Sequence, residues 1–581
     1  MMRMRKTAFG CAALAALLAA VVGACAADRP AVDEATPDES TFSIVEATIP
    51  DMQAAMRDGR TTSRRLVTEH LARIARYEAM LNAVITLNPR ALDEADARDR
   101  ERAAGLVRGP LHGIPVALKD NIQTLDMPTT GGSLAFDGFV PPYEATVTRQ
   151  LREAGAVIVA KTGMTELANW VAGPLTPMPG NYNALTGFGF NPYDPRRLPN
   201  GDGRPVLSPG GSSSGIGTAA SFWAANVGTE TSGSILTPAV RTMLVGVKPT
   251  VGRVSRYGIM PITSDQDTAG PMARTVMDAA ILLGALEGEA PDPNDPATSR
   301  CEPPPGRDYT RTLRPGALSG ARIGVPRAYY YVPVAPPGGA PRGGLGRARR
   351  LLMDEAIAAL RREGAVVIDP ANSPSLVADV ADDHLLGWGI CLGIEPTGRA
   401  SCSTVLLYGM KRDFNRWLSS LGGDAPVASL TELRRFNRAH RDEGAINYGQ
   451  SLLDASDRMD LDADRARYES DRARDLRLAR GQGLDAAMGE HDLEALLFPG
   501  SFGADLAARA GYPTVTVPFG TVPNADVPPG VAGFDPKPEP FGVSFTGGAC
   551  AEPRLLELAF AFEQATRGRV PPELENDEMT R

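Results

Sequence analysis

The 581-residue chain is 43% apolar and 22% charged, long enough for a large buried core, and its 5 histidines include no pair at metal-ligand spacing. Its formal charge of −9 becomes −12 if residues 1–24 are removed, since that segment holds three basic and no acidic side chains. Such a balance excludes nucleic acid as a partner and a basic membrane-binding face.

In chain order, Arg3, Arg5 and Lys6 precede an apolar run from Phe9 to Ala24, which reads as a secretory leader too short to span a membrane comfortably. The run ends in Val22-Gly-Ala-Cys25, which resembles a bacterial lipobox. Cys25 is then expected to become the lipidated first residue; ordinary cleavage after Ala24 or Ala27 is the alternative. Ala26 follows Cys25 where aspartate is absent, which points to the outer membrane if the source has two. The chain is therefore expected to be exported, lipid-anchored on the periplasmic side of the envelope or secreted. Residues 25–42, rich in Asp, Glu, Pro and Ala, read as a flexible tether.

Residues 61–81 carry Val67, Leu71, Ile74 and Leu81 on one face and predict a helix. Val116–Leu118 and Val157–Val159 predict buried strands, with a helix over Ala145–Ala154 between them, an order that favours a mixed or parallel sheet covered by helices. Tyr182–Val206 and Pro333–Gly346 read as loops, and residues 375–480, with Trp388, Tyr408, Phe414 and Trp417, as largely helical. Cys301, Cys391, Cys402 and Cys550 allow three pairings in an exported protein, and Cys391–Cys402 is favoured because it closes a short loop.

Three segments carry chemistry: Gly113-Ile-Pro-Val-Ala-Leu-Lys119-Asp-Asn121, Pro209-Gly-Gly-Ser212-Ser-Ser-Gly215 and Gly228-Thr-Glu-Thr-Ser-Gly-Ser234-Ile235. A serine hydroxyl needs a base, and lysine serves only when neutral, a state that burial beside Ile114, Val116, Ala117 and Leu118 would favour. Gly228 and Gly233 let a turn aim several N–H groups at one oxyanion. The serine loop alone could cradle phosphate, but no Lys-Ser or Lys-Thr pair follows it. His112, before the lysine strand, reads as structural.

Taken with Val245-Gly-Val-Lys-Pro-Thr250, Asp267-Thr-Ala-Gly-Pro-Met272, Ala160-Lys-Thr-Gly-Met-Thr-Glu-Leu-Ala-Asn169 and Ala510-Gly-Tyr-Pro-Thr-Val-Thr-Val-Pro518, these segments resemble the amidase signature family over roughly residues 43–568. The resemblance implies an α/β fold: a central mixed β-sheet covered by helices on both faces, in one large domain over residues 43–575. Its signature core is at about 110–280 and a more variable helical region at about 375–480. It implies Ser234 as the acylated nucleophile, Lys119 as the base, and Ser212 as the bridging serine, typically on a cis peptide. The backbone N–H groups of Thr231, Ser232, Gly233 and Ser234 would form the oxyanion hole. No metal or cofactor is implied.

Two features depart from the family pattern. Ser212 and Ser234 lie 22 residues apart, two fewer than expected, so Ala219–Val227 looks shortened and Ser213 is a second candidate for the bridge. Leu236 stands where many members carry arginine, which suggests a less polar wall or has no catalytic meaning. The motif wording is nearest to bacterial peptide amidases, so an exported hydrolase of a small-molecule or peptide amide is expected. The alternatives are the glutaminase subunit of a tRNA-dependent amidotransferase, against which the leader weighs, and an inactive amide-binding scaffold. Sequence leaves the particular amide and the oligomeric state open.

Overall fold

The computed structural model describes residues 42–174, 176–199, 201–211, 215–393, 402–524 and 534–574. The leader (1–24), nearly all of the tether, Cys25, Ser212 and Ser213 lie outside them. Eleven strands form one sheet: β1 (Val84–Leu87), β2 (Pro115–Lys119), β3 (Val157–Thr162), β6 (Ala225–Glu230), β7 (Val245–Lys248), β8 (Thr268–Ala273), β9 (Arg322–Gly324), β10 (Val366–Ile368), β13 (Ala495–Pro499), β14 (Thr514–Val522) and β15 (Glu539–Thr546). Two small pairs stand apart from it: β4 (Tyr182–Asn183) with β5 (Gly187–Phe188), and β11 (Gly389–Ile390) with β12 (Cys402–Ser403). The region read as a loop from Tyr182 thus contains a short hairpin.

The order across the sheet is β1-β3-β2-β6-β8-β7-β14-β15-β13-β9-β10. β3, β2 and β6 run parallel, as do β13, β9 and β10, while the stretch from β6 through β13 is antiparallel. β2, β3, β6 and β8 are buried along their whole length, as expected of strands covered on both faces. Alternation along β2 divides its side chains: Val116 and Leu118 join one apolar cluster with Val147, Leu151, Val276 and Leu555, and Ala117 joins another with Val67, Leu71, Ile74 and Trp223.

The helix predicted over 61–81 is Ser63–Leu81. Thr62 caps it by accepting the Arg65 N–H, and Asn82 ends it in the left-handed region at φ 49°. The helix between β2 and β3 is Thr146–Glu153, slightly shorter than read from sequence. A third apolar cluster lies beneath the 375–480 region, where Phe136, Trp170, Phe414 and Trp417 meet Leu406 and Leu453 on the helices Val405–Ser420 and Ser451–Asp457. The Cys391–Cys402 disulfide ties β11 to β12 immediately before the helix Val405–Ser420, and a second joins Cys301 to Cys550. Among the described residues no helix is long and apolar enough to cross a membrane.

Candidate active site

β2 and β6 are neighbours, and this places Lys119 beside Thr229. The Lys119 side chain is wholly buried, and its Nζ donates to Thr229 Oγ1 at 2.7 Å and to the Thr229 carbonyl at 3.2 Å. Burial brings its pKa from 10.5 down to about 7, although the Asp267 and Glu230 carboxylates pull the other way. Lys119 can therefore be neutral at the pH where a general base is needed.

β6 ends at Glu230, and the chain turns through Thr231–Ile235 into the helix Leu236–Arg241. Glu230 holds that turn from beneath, its Oε2 accepting the N–H groups of Ile235 at 2.7 Å and Leu236 at 2.9 Å. Gly233 adopts φ +83°, a left-handed conformation that glycine accepts without strain. Thr231 Oγ1 donates to Asp267 at 2.5 Å. Asp267 also accepts the Ile262 and Thr263 N–H groups, each at 2.9 Å, while burial pushes its pKa up to about 7. Ser232 and Ser234 are partly exposed, and among the described residues no hydrogen bond takes up the N–H of Ser232, Gly233 or Ser234. An open hydroxyl beside backbone N–H groups without an acceptor is a setting in which an acyl-transfer nucleophile can work.

The glycine loop meets this turn. A Cβ built on Gly211 would lie 3.3 Å from Ser234 Cα and 2.7 Å from Pro238 Cδ, so only glycine lets the loop pack this closely. Gly211 is the residue before Ser212, so the described end of the serine loop reaches the Thr231–Ile235 turn; Ser212 and Ser213 lie outside the described residues. The segment read as shortened, Ala219–Val227, starts at the end of the single helical turn Ile216–Ala219 and passes through the buried Phe222 and Trp223 into β6.

A cavity of about 450 Å³ opens beside these groups. Asn121, Thr229, Thr231 and Asp267 contribute to its wall, as do Met260 and Ile262. Tyr143 and Tyr257, stacked with centroids 5.0 Å apart, add an aromatic surface, and the helix Val405–Ser420 adds Trp417 and Arg416. Of the four aromatics singled out from sequence, Trp417 alone lines this cavity. Trp388 donates to Asp475, and Phe414 packs in the core. Leu236 is wholly buried at the start of its helix and is no part of the cavity wall. His112 is structural as expected, its Nε2 3.0 Å from the Arg98 carbonyl. Sequence reasoning missed Tyr143, Tyr257 and Asn121 as wall residues. Only Asn121 carried a signal, its place two residues after Lys119.

Residues 65–381 match the pattern of the Amidase family. A probable amidase of Arabidopsis thaliana is 35% identical over 542 residues, 92% of each chain. The chain belongs to the amidase family. The crystal structure of a native peptide amidase from Stenotrophomonas maltophilia superposes with a TM-score of 0.75 at 38% identity, covering 91% of this chain and 99% of that one. A glutamyl-tRNA(Gln) amidotransferase subunit of Chloroflexus aurantiacus is 41% identical, but over 55% of this chain and 60% of its own. This amidase is a hydrolase of the carbon–nitrogen bond of amides, built on the amidase-signature fold.

Proposed function

We propose that this amidase hydrolyses carboxamides, peptide C-terminal amides among them, outside the cytoplasm and through an acyl-enzyme on Ser234. The observation that carries the reading is the buried Lys119 amine on Thr229, at the end of the strand next to β6, whose following turn holds Ser234 and N–H groups without an acceptor among the described residues. Ser234 Oγ attacks the carbonyl carbon while its proton passes through Ser212, or Ser213 if the register slips, to neutral Lys119. The oxyanion meets the N–H groups of the Thr231–Ser234 turn. The C–N bond breaks as Lys119 returns the proton through the same serine to the leaving nitrogen, releasing ammonia or an amine. Water then repeats the sequence on the Ser234 ester and frees the carboxylate.

The substrate class follows from the cavity. Its charged groups are largely engaged within the protein: Arg256 is clasped by Asp295 at 2.5–2.7 Å, Asp413 by Arg412, and Asp267 by three donors. Recognition is then left to apolar and aromatic contact with Tyr143, Tyr257, Met260 and Trp417, which suits an acyl group bearing an apolar side chain. The peptide reading is favoured over the amidotransferase one because the peptide amidase is 38% identical along nearly its full length, whereas the amidotransferase subunit matches in sequence over 60% of its own. Export, with lipid at Cys25 or plain secretion, is supported by the basic-apolar leader and by two disulfides, which persist in oxidising compartments.

The test is ammonia release from a panel of amides, together with fluorophosphonate labelling and peptide mass mapping. Label on Ser234, with activity lost in Ser234→Ala, is the expected result. Label on another serine, with Ser234→Ala fully active, overturns the assignment.

A further inference from the structure

Gln266 is wholly buried and stands in sequence between the wall residues Ser264 and Asp267, itself no part of the wall. Its Nε2 donates to the Thr231 carbonyl at 3.2 Å, in the interior. A backbone carbonyl only accepts, so this contact fixes which end of the Gln266 amide faces Thr231. The Thr231 hydroxyl is held too, at 2.5 Å from Asp267. Two consecutive residues thus grip Thr231 by its carbonyl and by its side chain. They are themselves anchored: the N–H groups of Gln266 and Asp267 both donate to the Thr263 carbonyl, at 3.2 and 2.9 Å. Next to Thr263, the Ser264 N–H and hydroxyl donate to Asp413 on the helix Val405–Ser420, at 2.7 and 2.9 Å.

The grip has a consequence in the next peptide unit. The Thr231–Ser232 peptide is trans, and in a planar trans peptide the carbonyl and the N–H point in opposite directions. With the Thr231 carbonyl drawn onto Gln266, the Ser232 N–H points away from that interior contact. Ser232 is partly exposed, and among the described residues nothing accepts its N–H. We propose that Gln266 is a positioning residue for the oxyanion: by holding the Thr231 carbonyl inward, it turns the Ser232 N–H to the side where the tetrahedral oxygen forms when Ser234 attacks. A donor fixed in advance needs no reorganisation as charge develops, so misdirecting it weakens the transition state more than the bound substrate. Gln266 touches no substrate and acts through one peptide unit. The inference rests on the reading of Ser234 as the nucleophile.

The experiment uses Gln266→Met, which keeps the length of the side chain and removes the donor. It reads kcat and KM for the primary amide of an N-acetylated aromatic amino acid, and the inhibition constants of the matching aldehyde and alcohol. The aldehyde forms a tetrahedral adduct on Ser234 Oγ whose oxygen takes the place of the oxyanion; the alcohol forms none. The expected result is a kcat lower by about 10- to 100-fold with KM held within about twofold. Aldehyde affinity is expected to fall by about the same factor as kcat, and alcohol affinity to stay unchanged. Inhibition constants do not depend on the fraction of protein that is folded, so loss of structure cannot imitate a changed aldehyde-to-alcohol ratio. An unchanged ratio, or an equal weakening of both inhibitors, overturns the proposal. Should Gln266→Met not fold, Gln266→Asn takes its place, with an amide kept but drawn back from the carbonyl by a methylene, and the same outcomes decide. Fluorophosphonate labelling separates this inference from the reading beneath it. Label on another serine counts against Ser234, whereas label on Ser234 with the inhibitor ratio unchanged counts against Gln266 alone.

Discussion

Replacing Lys119 by methionine is expected to abolish catalysis and to stabilise the protein. The amine is wholly buried, with its pKa brought from 10.5 to about 7. At about 1.4 kcal/mol per tenfold change in proton affinity, holding it there costs about 4 kcal/mol at pH 7. Methionine of similar length removes that cost but leaves Thr229 Oγ1 without one of its donors, which returns about 1–3 kcal/mol. A net gain of about 1–3 kcal/mol is then expected at pH 7. The sign follows from proton counts. Between about pH 7 and 10.5 the unfolded lysine is protonated and the folded one is not, so the parent gains stability as pH rises through this window. The advantage of Lys119→Met must therefore be full at and below about pH 7, fall as pH rises, and be gone by about pH 10.5. Urea midpoints of parent and variant at several pH values measure it. The activity counterpart is a kcat/KM that rises with pH and levels off above about 7. A variant less stable than the parent at pH 7, or a gain that ignores pH, refutes the burial argument.

Glu230→Gln keeps an oxygen that can accept from Ile235 and Leu236 but removes a charge that raises the Lys119 pKa, so the acidic limb of the kcat/KM profile is expected to move to lower pH. An unmoved limb in a folded variant would show that the charge does not reach the base. Opening Cys391–Cys402 by replacing both with serine frees an 11-residue separation in the unfolded chain and is expected to lower stability by about 3 kcal/mol. Because Ser403 and Thr404, bonded to Asp475 and Asp471, lead into the helix that carries Trp417, KM should rise more than kcat falls; a fall in kcat alone would detach the disulfide from the cavity wall. Cys25→Ser should shift the protein from the membrane fraction to the soluble periplasm or medium, and equal solubility of parent and variant would mean plain secretion.

Local pattern carried the elements whose burial depends on their own residues. The helix at 63–81 shows its apolar stripe, and Val116–Leu118 and Val157–Val159 are short apolar runs beside glycines that fit covered strands. The order of strands across the sheet depends on pairings over hundreds of residues, such as β7 with β14, and no local signal specifies them. The cavity was hidden for the same reason. Tyr143 and Tyr257 are 114 positions apart and stack only once β2 and the loop before β8 are in place. Cys301 and Cys550 likewise meet across a separation of 249 residues, whereas the short Cys391–Cys402 loop could be favoured from sequence.

The choice of base shows where pattern stops and geometry begins. Three lysines follow similar apolar strands: Val-Ala-Leu-Lys119, Val-Ile-Val-Ala-Lys161 and Val-Gly-Val-Lys248. All three are wholly buried, and burial lowers the pKa of each. Their partners separate them. Lys161 faces Asp120 at 3.4 Å and donates to Thr129 and the Pro128 carbonyl, so its proton has a carboxylate to share. Lys248, lowered to about 8, donates to the Tyr512 and Pro249 carbonyls and fastens β7 to the turn before β14. Among the described residues Lys119 donates to two oxygens of a neutral residue, Thr229, and that residue shares the cavity wall with Asn121 and Thr231. A neutral amine directing two N–H bonds at Thr229 turns its lone pair away from that residue, and a lone pair is what a general base must present. The apolar run before each lysine is alike, and in the sequence the neighbouring motifs and the family resemblance single out Lys119. The neighbour strand β6, which brings Thr229 and the Ser234 turn to the end of β2, sets Lys119 apart from the other two as the proposed base.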